Sequence, residues 1–332
     1  MELKACCKIN LGLRVVRRRA DGFHDIETAM MAVPGLYDTV EVEALPTPAT
    51  FLTATPPPYP SPPPVFVSES VFEVTADGRL SESRDPALDC PPEQNLCMRA
   101  LRLMQAEFGI GEAFIGLHKA IPSGAGLGGG SADAAAVLRA LDEEFVLGLS
   151  EIELERLAAH LGSDVPFFVR SGARLGSGAR LGSGARSRSG ERSGSGAQPF
   201  GGAQFCTGRG ETMTPVEVDL AGYWLLVSKP PIAVSTAMAY AGVTPREGGV
   251  SVSEIVRRDV REWRGLLVND FEAGVFALHP EIARLKEAMY EAGAVYASMS
   301  GSGSAVFGIF DGRPVDLVKR LGGSIFVHME RL

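Results

Sequence analysis

β-Capable residues crowd positions 3–17 around Ile9, Leu11, Leu13, Val15 and Val16, which predicts a strand ending in an Arg-rich turn at Asp21-Gly22. Residues 38–43 (DTVEVE) alternate apolar and polar and predict a half-exposed strand, whereas the pattern over 25–33 decides nothing. Residues 65–74 look like a strand returning. Residues 95–108 place Leu96, Ala100, Leu103 and Met104 on one helical face. A strand is expected at 114–118, then a glycine loop, then an Ala- and Leu-rich helix. Ser150 with Glu153 forms a capping box, opening a helix that should stop at Gly162. Further on, 223–227 predicts a buried strand, 269–291 a helix, 306–310 a strand and 314–321 a short helix.

Two stretches break this pattern. Residues 46–64 are so dense in proline that neither helix nor sheet interior can hold them, so an extended surface loop is expected. Residues 171–196 repeat SGARLG and then continue in Arg, Ser, Gly and Glu. That repeat is too short and polar to bury a face, and reads as a low-complexity insertion over 171–200.

The 332 residues suit two domains. With 45% hydrophobic and 22% charged residues, the composition is that of a soluble globular protein. The net charge of -8 argues against broad nucleic-acid or membrane binding, while leaving room for a local site that takes an anionic substrate. The start of the chain has no apolar h-region and no run of eighteen apolar residues occurs, so a cytoplasmic protein is expected. Five cysteines without C-x-x-C spacing support neither a disulfide framework nor a zinc site.

The strongest chemical signal is Pro122-Ser123-Gly124-Ala125-Gly126-Leu127-Gly128-Gly129-Gly130-Ser131-Ala132-Asp133. Glycines let backbone N–H groups approach a ligand, and the helix that follows adds its own free N–H groups and positive dipole end. The local physics is that of an anion cradle; a ligand-free glycine turn is the rival. No G-x-x-x-x-G-K-S/T sequence is present, which excludes a Walker A loop. Gly124, Gly126 and Gly129 match the dinucleotide fingerprint literally, but the acidic residues about twenty positions on (Asp142, Glu143, Glu144) fall in a helical run rather than at a strand end.

The same segment resembles the second motif of the GHMP kinases. Lys8-Ile9-Asn10-Leu11-Gly12-Leu13 is similar to their first motif, and residues 299–307 (MSGSGSAVF) to their third. Within that superfamily, Arg18-Arg19-Ala20-Asp21-Gly22-Phe23-His24, residues 161–168 (LGSDVPFF) and Gly208-Arg209-Gly210-Glu211 resemble signatures of the diphosphocytidyl-methylerythritol kinases. The resemblance spans nearly the whole chain and fails over the proline-rich segment and over 171–200. It implies an α+β, two-domain GHMP kinase fold: a ribosomal protein S5 domain 2-like domain over 1–169 and a ferredoxin-like domain over 170–332.

The resemblance further implies ATP-dependent phosphorylation of the 2-hydroxyl of 4-diphosphocytidyl-2-C-methyl-D-erythritol, a step of the non-mevalonate isoprenoid precursor pathway, with Mg²⁺ arriving on ATP. It assigns Asp164 to take the hydroxyl proton and Lys8 to stabilise charge beside it. An alternating strand puts Lys8 and Asn10 on one face, toward the acceptor. Phe23, His24, Thr236 and Tyr240 are expected around the cytidine diphosphate group. Asn95, Pro122, Gly124, Ala125, Gly126, Leu127, Gly128, Gly129, Gly130 and Ser131 are expected along ATP. Ser131 and Asp133 are candidates for placing magnesium, although no ligand set is assigned. Partners are then ATP and a cytidine-diphosphate-linked sugar alcohol, bound by a monomer or homodimer. Rival readings are another alcohol kinase of the mevalonate or homoserine type, a non-catalytic binding relative, and a dinucleotide oxidoreductase.

Overall fold

The computed structural model describes residues 1–45, 66–69, 71–74, 80–83, 94–175, 202–321 and 325–332. The expected proline-rich loop over 46–64 and residues 176–200 of the repeat lie outside them.

In chain order the elements are β1 (Glu2–Arg18), β2 (His24–Ala44), β3 (Phe66–Glu69), β4 (Val71–Val74), β5 (Leu80–Ser83), α1 (Leu96–Phe108), β6 (Ala113–His118) and α2 (Gly129–Glu144). Then come α3 (Glu151–Leu161), α4 (Val165–Leu175), β7 (Gln204–Thr207), β8 (Thr212–Pro215), β9 (Trp224–Lys229), α5 (Thr236–Ala241), α6 (Val252–Ile255) and α7 (Glu272–Leu278). The chain closes with α8 (Pro280–Glu291), β10 (Ala294–Met299), β11 (Val306–Phe310), α9 (Val315–Leu321) and β12 (Phe326–Arg331).

β1 and β2 form one long antiparallel hairpin that bulges between Cys6 and Cys7, between Asn10 and Leu13, and between Val15 and Arg17. β2 absorbs the undecided stretch 25–33. Residues 29–33 are buried without alternation because both faces of the strand are covered, which erases the period-two signal. Along its other edge β2 carries β7 at Thr28–Met30 and β6 at Thr39–Ala44. The first sheet therefore includes β7 and β8, which follow residue 170 in the chain.

The second sheet is antiparallel in the order β10-β11-β9-β12. Helices α5–α8 separate β9 from β10, and α9 separates β11 from β12, which is the split β-α-β arrangement of a ferredoxin-like domain.

Three apolar clusters hold these layers together. Helices α1–α4 bury Leu101, Met104, Leu138 and Phe167 against Met30, Val40, Ile115 and Leu117 of the first sheet. Cys7, Ile9 and Leu11 of β1 pack with Leu225, Val227, Phe307 and Trp263, joining the two sheets. Leu13, Val15 and Ile26 meet Phe271, Ile282 and Met289 on the other side.

Local signals are realised as expected in α3, where Ser150 and Glu153 make the reciprocal capping box and Gly162 follows the last turn. The face of α1 is wider than the spacing implied, with Cys97, Met98 and Leu101 buried beside Ala100 and Met104, and Leu96 and Leu103 only partly covered. The helix expected over 269–291 is two helices, because Pro280 starts a new one at its first position. α4 runs through Leu175, so the first residues of the repeat are helical.

Met104 is fully buried in the helical layer. Met104→Ala should lower unfolding free energy by about 2–5 kcal/mol, read as a lower urea midpoint at unchanged m-value.

Candidate active site

The glycine loop lies between β6 and α2 and lines a cavity of about 290 Å³ together with Leu96, Lys119, Val234, Thr236, Ser302 and Gly303. Ala125 and Leu127 turn their side chains into the core, so the loop offers the cavity mainly backbone. Gly124, Gly126 and Gly128 are left-handed at φ 60°, 73° and 75°, the every-second-residue spacing found in backbone concavities that suit anions. At Gly126 glycine is required twice over: the backbone is left-handed, and a Cβ there would run into the Ser300 carbonyl.

The residues of the three glycine-bearing segments meet here. Lys8 is 3% exposed and donates from Nζ to Asn10 Oδ1 at 2.6 Å and to the Gly126 carbonyl at 2.7 Å. Two of its three donors are thereby used, and Asp164 Oδ2 stands 3.7 Å away. The Lys8 N–H donates to the Leu127 carbonyl at 3.0 Å. Ser300 Oγ donates to the same Gly126 carbonyl at 3.0 Å and accepts from the Asn10 N–H at 3.3 Å. The Ala305 N–H reaches the Ala125 carbonyl at 3.0 Å.

Asp164 is the last of the three residues between α3 and α4, where the Val165 N–H returns to the Gly162 carbonyl at 3.3 Å. Its carboxylate is about one third exposed, opposite Gly210 of the β7–β8 turn. Burial, reinforced by the charge of Asp164, pushes the Cys206 thiol up to about 12 and the Tyr240 phenol up to about 12.

Not every expected site residue faces the cleft as anticipated. Asn10 is 1% exposed; besides accepting from Lys8, it donates to Thr28 Oγ1 at 2.9 Å, so it stands behind Lys8 and holds it. His24 and Tyr240 stack at 4.7 Å and 16°, with Phe271 edge-on to Tyr240. Phe23 is not part of that stack: it is 53% exposed and lies 4.9 Å from the Arg209 guanidinium. Thr236 lies beside the glycine loop, its Oγ1 3.5 Å from Ser302 Oγ, one helical turn from Tyr240. Asn95 caps α1 by accepting from the Cys97 N–H, and its neighbour Leu96 lines the cavity. Pro122, Gly129, Gly130 and Ser131 all border it.

Asp133 departs from its expected place. Its carboxylate is buried, ion-paired with Lys119, and turned away from the cavity, so it does not offer itself to a magnesium ion there. Burial pushes this carboxyl up to about 8 against the pull of Lys119. Lys119 also pairs with buried Asp38; burial opposes its charge, but the two carboxylates raise its pKa.

Sequence reasoning missed Lys119, Asp38, Thr28 and Asn269. Asn269 donates to the Met299 and Gly301 carbonyls at 2.8 Å each, shaping the third glycine turn. The signal available for it was an Asn-Asp pair opening a helical run. Asp38 stood at an inward position of an alternating strand, where a lone acid calls for a buried cation.

Residues 95–172 match the GHMP kinases N terminal domain and residues 251–321 the GHMP kinases C terminal domain. The chain is 38% identical to the 4-diphosphocytidyl-2-C-methyl-D-erythritol kinase of Parabacteroides distasonis, over 92% of this chain and 89% of the relative. It is 39% identical to the enzyme of the same name from Porphyromonas gingivalis, over 92% and 91%. Among solved structures, a 4-(cytidine 5'-diphospho)-2C-methyl-D-erythritol kinase superposes with TM-score 0.64 at 27% identity, covering 99% of this chain and 98% of that one. A homoserine kinase from Cytophaga hutchinsonii superposes at 0.55 with 17% identity, covering 100% and 95%, a likeness of fold. Glycine loop, buried lysine and flanking aspartate thus sit in a chain that belongs to the GHMP kinases and, within them, to the 4-diphosphocytidyl-2-C-methyl-D-erythritol kinase family.

Proposed function

We propose that this kinase transfers the γ-phosphate of ATP to the 2-hydroxyl of 4-diphosphocytidyl-2-C-methyl-D-erythritol, in the supply of isoprenoid precursors. The observation that carries the reading is the position of Lys8: one ammonium hydrogen-bonds the phosphate loop at Gly126 and stands 3.7 Å from Asp164. One ammonium thus links the glycine loop to the Asp164 carboxylate, which supports a common reaction centre for donor and acceptor.

In this reaction Asp164 accepts the proton of the 2-hydroxyl as its oxygen attacks the γ-phosphorus, and ADP leaves. Phosphoryl transfer asks the protein mainly for positioning and for charge stabilisation. The backbone N–H groups of the glycine loop hold the triphosphate, and the Lys8 ammonium offsets negative charge between donor and acceptor. Lys8 is fixed in advance by Asn10 and the Gly126 carbonyl, so little reorganisation is left for the transition state.

The stacked His24–Tyr240 pair supports recognition of the cytidine group, by aromatic contact with the base and an imidazole nitrogen within reach of its edge. Phe23, exposed beside Arg209, is available to close over the same ligand. Among the described residues no group of three His, Cys, Asp or Glu could hold a metal ion. With Asp133 committed to Lys119, the phosphates of ATP themselves would supply most of the ligands for Mg²⁺, an ion that commonly keeps waters and phosphate oxygens. Among the described residues no helix is long and apolar enough to cross a membrane, and we place the enzyme in the cytoplasm.

Two outcomes test this reading. Asp164→Ala should reduce kcat about 10²–10⁴-fold in a coupled ADP-release assay, with the fold retained by circular dichroism; near-normal turnover would remove Asp164 from the role of base. Tyr240→Ala should raise KM for the cytidine-linked acceptor about ten-fold with little change in KM for ATP, since base stacking contributes about 1–3 kcal/mol. CDP should compete with the acceptor in the wild type and compete less well in that variant; indifference to CDP would favour an alcohol without a nucleotide.

A further inference from the structure

The glycine loop is entered through Lys119, Ala120 and Ile121 at the end of β6 and left through the first turn of α2. Below this neck lie three buried ionisable side chains: Asp38 at 0% exposure, Asp133 at 2%, and Lys119 at 4% on the border of the cavity. Asp38, on β2, accepts through Oδ1 from the Ala120 N–H at 2.6 Å and the Ile121 N–H at 2.8 Å, while its Oδ2 takes the Lys119 ammonium. Asp133, on α2, takes the same ammonium through Oδ2, and its buried Oδ1 has no partner.

Two buried carboxyl groups on one buried ammonium, with one oxygen left over, are a costly way to fill a core; apolar residues of similar volume are often more stabilising. Their arrangement has a geometric consequence instead. One ammonium ties the entry of the loop to its exit, and one carboxylate ties that entry to the central sheet. The loop's ends cannot separate, nor rise off β2, without exposing an unpaired buried charge. Gly129 lies directly over this group; a side chain there would start 3.5 Å from Asp38 Oδ2.

We propose that Asp38 and Asp133 are positioning residues for nucleotide binding: holding Lys119 between them, they clamp the neck of the phosphate loop and keep its N–H groups aimed before ATP arrives. The proposal rests on ATP occupying that loop. Neither carboxylate touches the nucleotide; both act through Lys119 and the loop backbone. The clamp governs affinity for the triphosphate and leaves the acceptor pocket around His24 and Tyr240 alone.

The test uses the full chain carrying Asp133→Asn, Asp38→Asn and both together, with steady-state kinetics for each substrate and calorimetric titration with ADP. Each single variant should raise KM for ATP and Kd for ADP about ten-fold, by loss of pre-organisation, with kcat within about three-fold and KM for the acceptor unchanged. The double variant should lose little more than either single one, since the two act through one lysine. If Asp38→Asn does not fold, Asp133→Asn and Asp133→Ser carry the test. Folded variants with unchanged ATP and ADP affinity, or a loss spread equally over kcat and both KM values, would overturn the clamp while the wild type still turns over. A wild type that bound no ADP would overturn the ATP reading and the clamp with it.

Discussion

A lysine ammonium sealed inside the protein is the constraint around which this molecule is organised. Burying Lys8 alone would be prohibitive, and the structure surrounds it with an amide oxygen, a loop carbonyl and a carboxylate. Each neighbour comes from a different part of the chain, so satisfying one charge brings β1, the glycine loop and the α3–α4 turn to a common point. Ser300 adds the third glycine turn by donating to the carbonyl that Lys8 also uses. The site is thus less a pocket decorated with residues than a meeting of three backbone turns on one buried cation.

The meeting is held from below by β1. Its odd-numbered residues Cys7, Ile9 and Leu11 enter the core shared with the second sheet, while Lys8 and Asn10 face the loop. Beyond the bulge between Asn10 and Leu13 the strand passes Leu13 and Val15 to another cluster, and Asp270 Oδ2 accepts from the Val15 N–H at 2.8 Å. One strand therefore positions both Lys8 and the seam between the two sheets. The stacked pair His24 and Tyr240 crosses the same seam, with one ring on β2 and the other on α5.

What could be read from the chain depended on how local its cause was. The box at Ser150 and Glu153 depends on residues three apart, and it formed as the spacing implied. Lys8 and Asn10 share a face because strand geometry alone dictates it. Residues 25–33 were illegible because helices and a second sheet cover both sides of β2, a fact no window of nine residues contains. The helix over 269–291 breaks where His279 precedes a proline, a local warning that the apolar periodicity outweighed. Asp133 looked like a ligand because it follows the loop, yet α2 turns it toward Lys119, fourteen residues earlier at the other end of that loop. Thr236 likewise lies with the phosphate loop because α5 starts beside Ser302.

The chain leaves the helical layer at α4 and re-enters the first sheet at β7, and both of these flanks are independently secured. Arg170 grips Glu155 with two bonds of 2.7 Å, and β7 zips onto Thr28, Ala29 and Met30. Each anchor forms among the described residues, so the two ends of the connection are held on either side of it. Lengthening it taxes folding only logarithmically, by about 0.6 kcal/mol per doubling. A longer connection between these two anchors therefore costs the fold little.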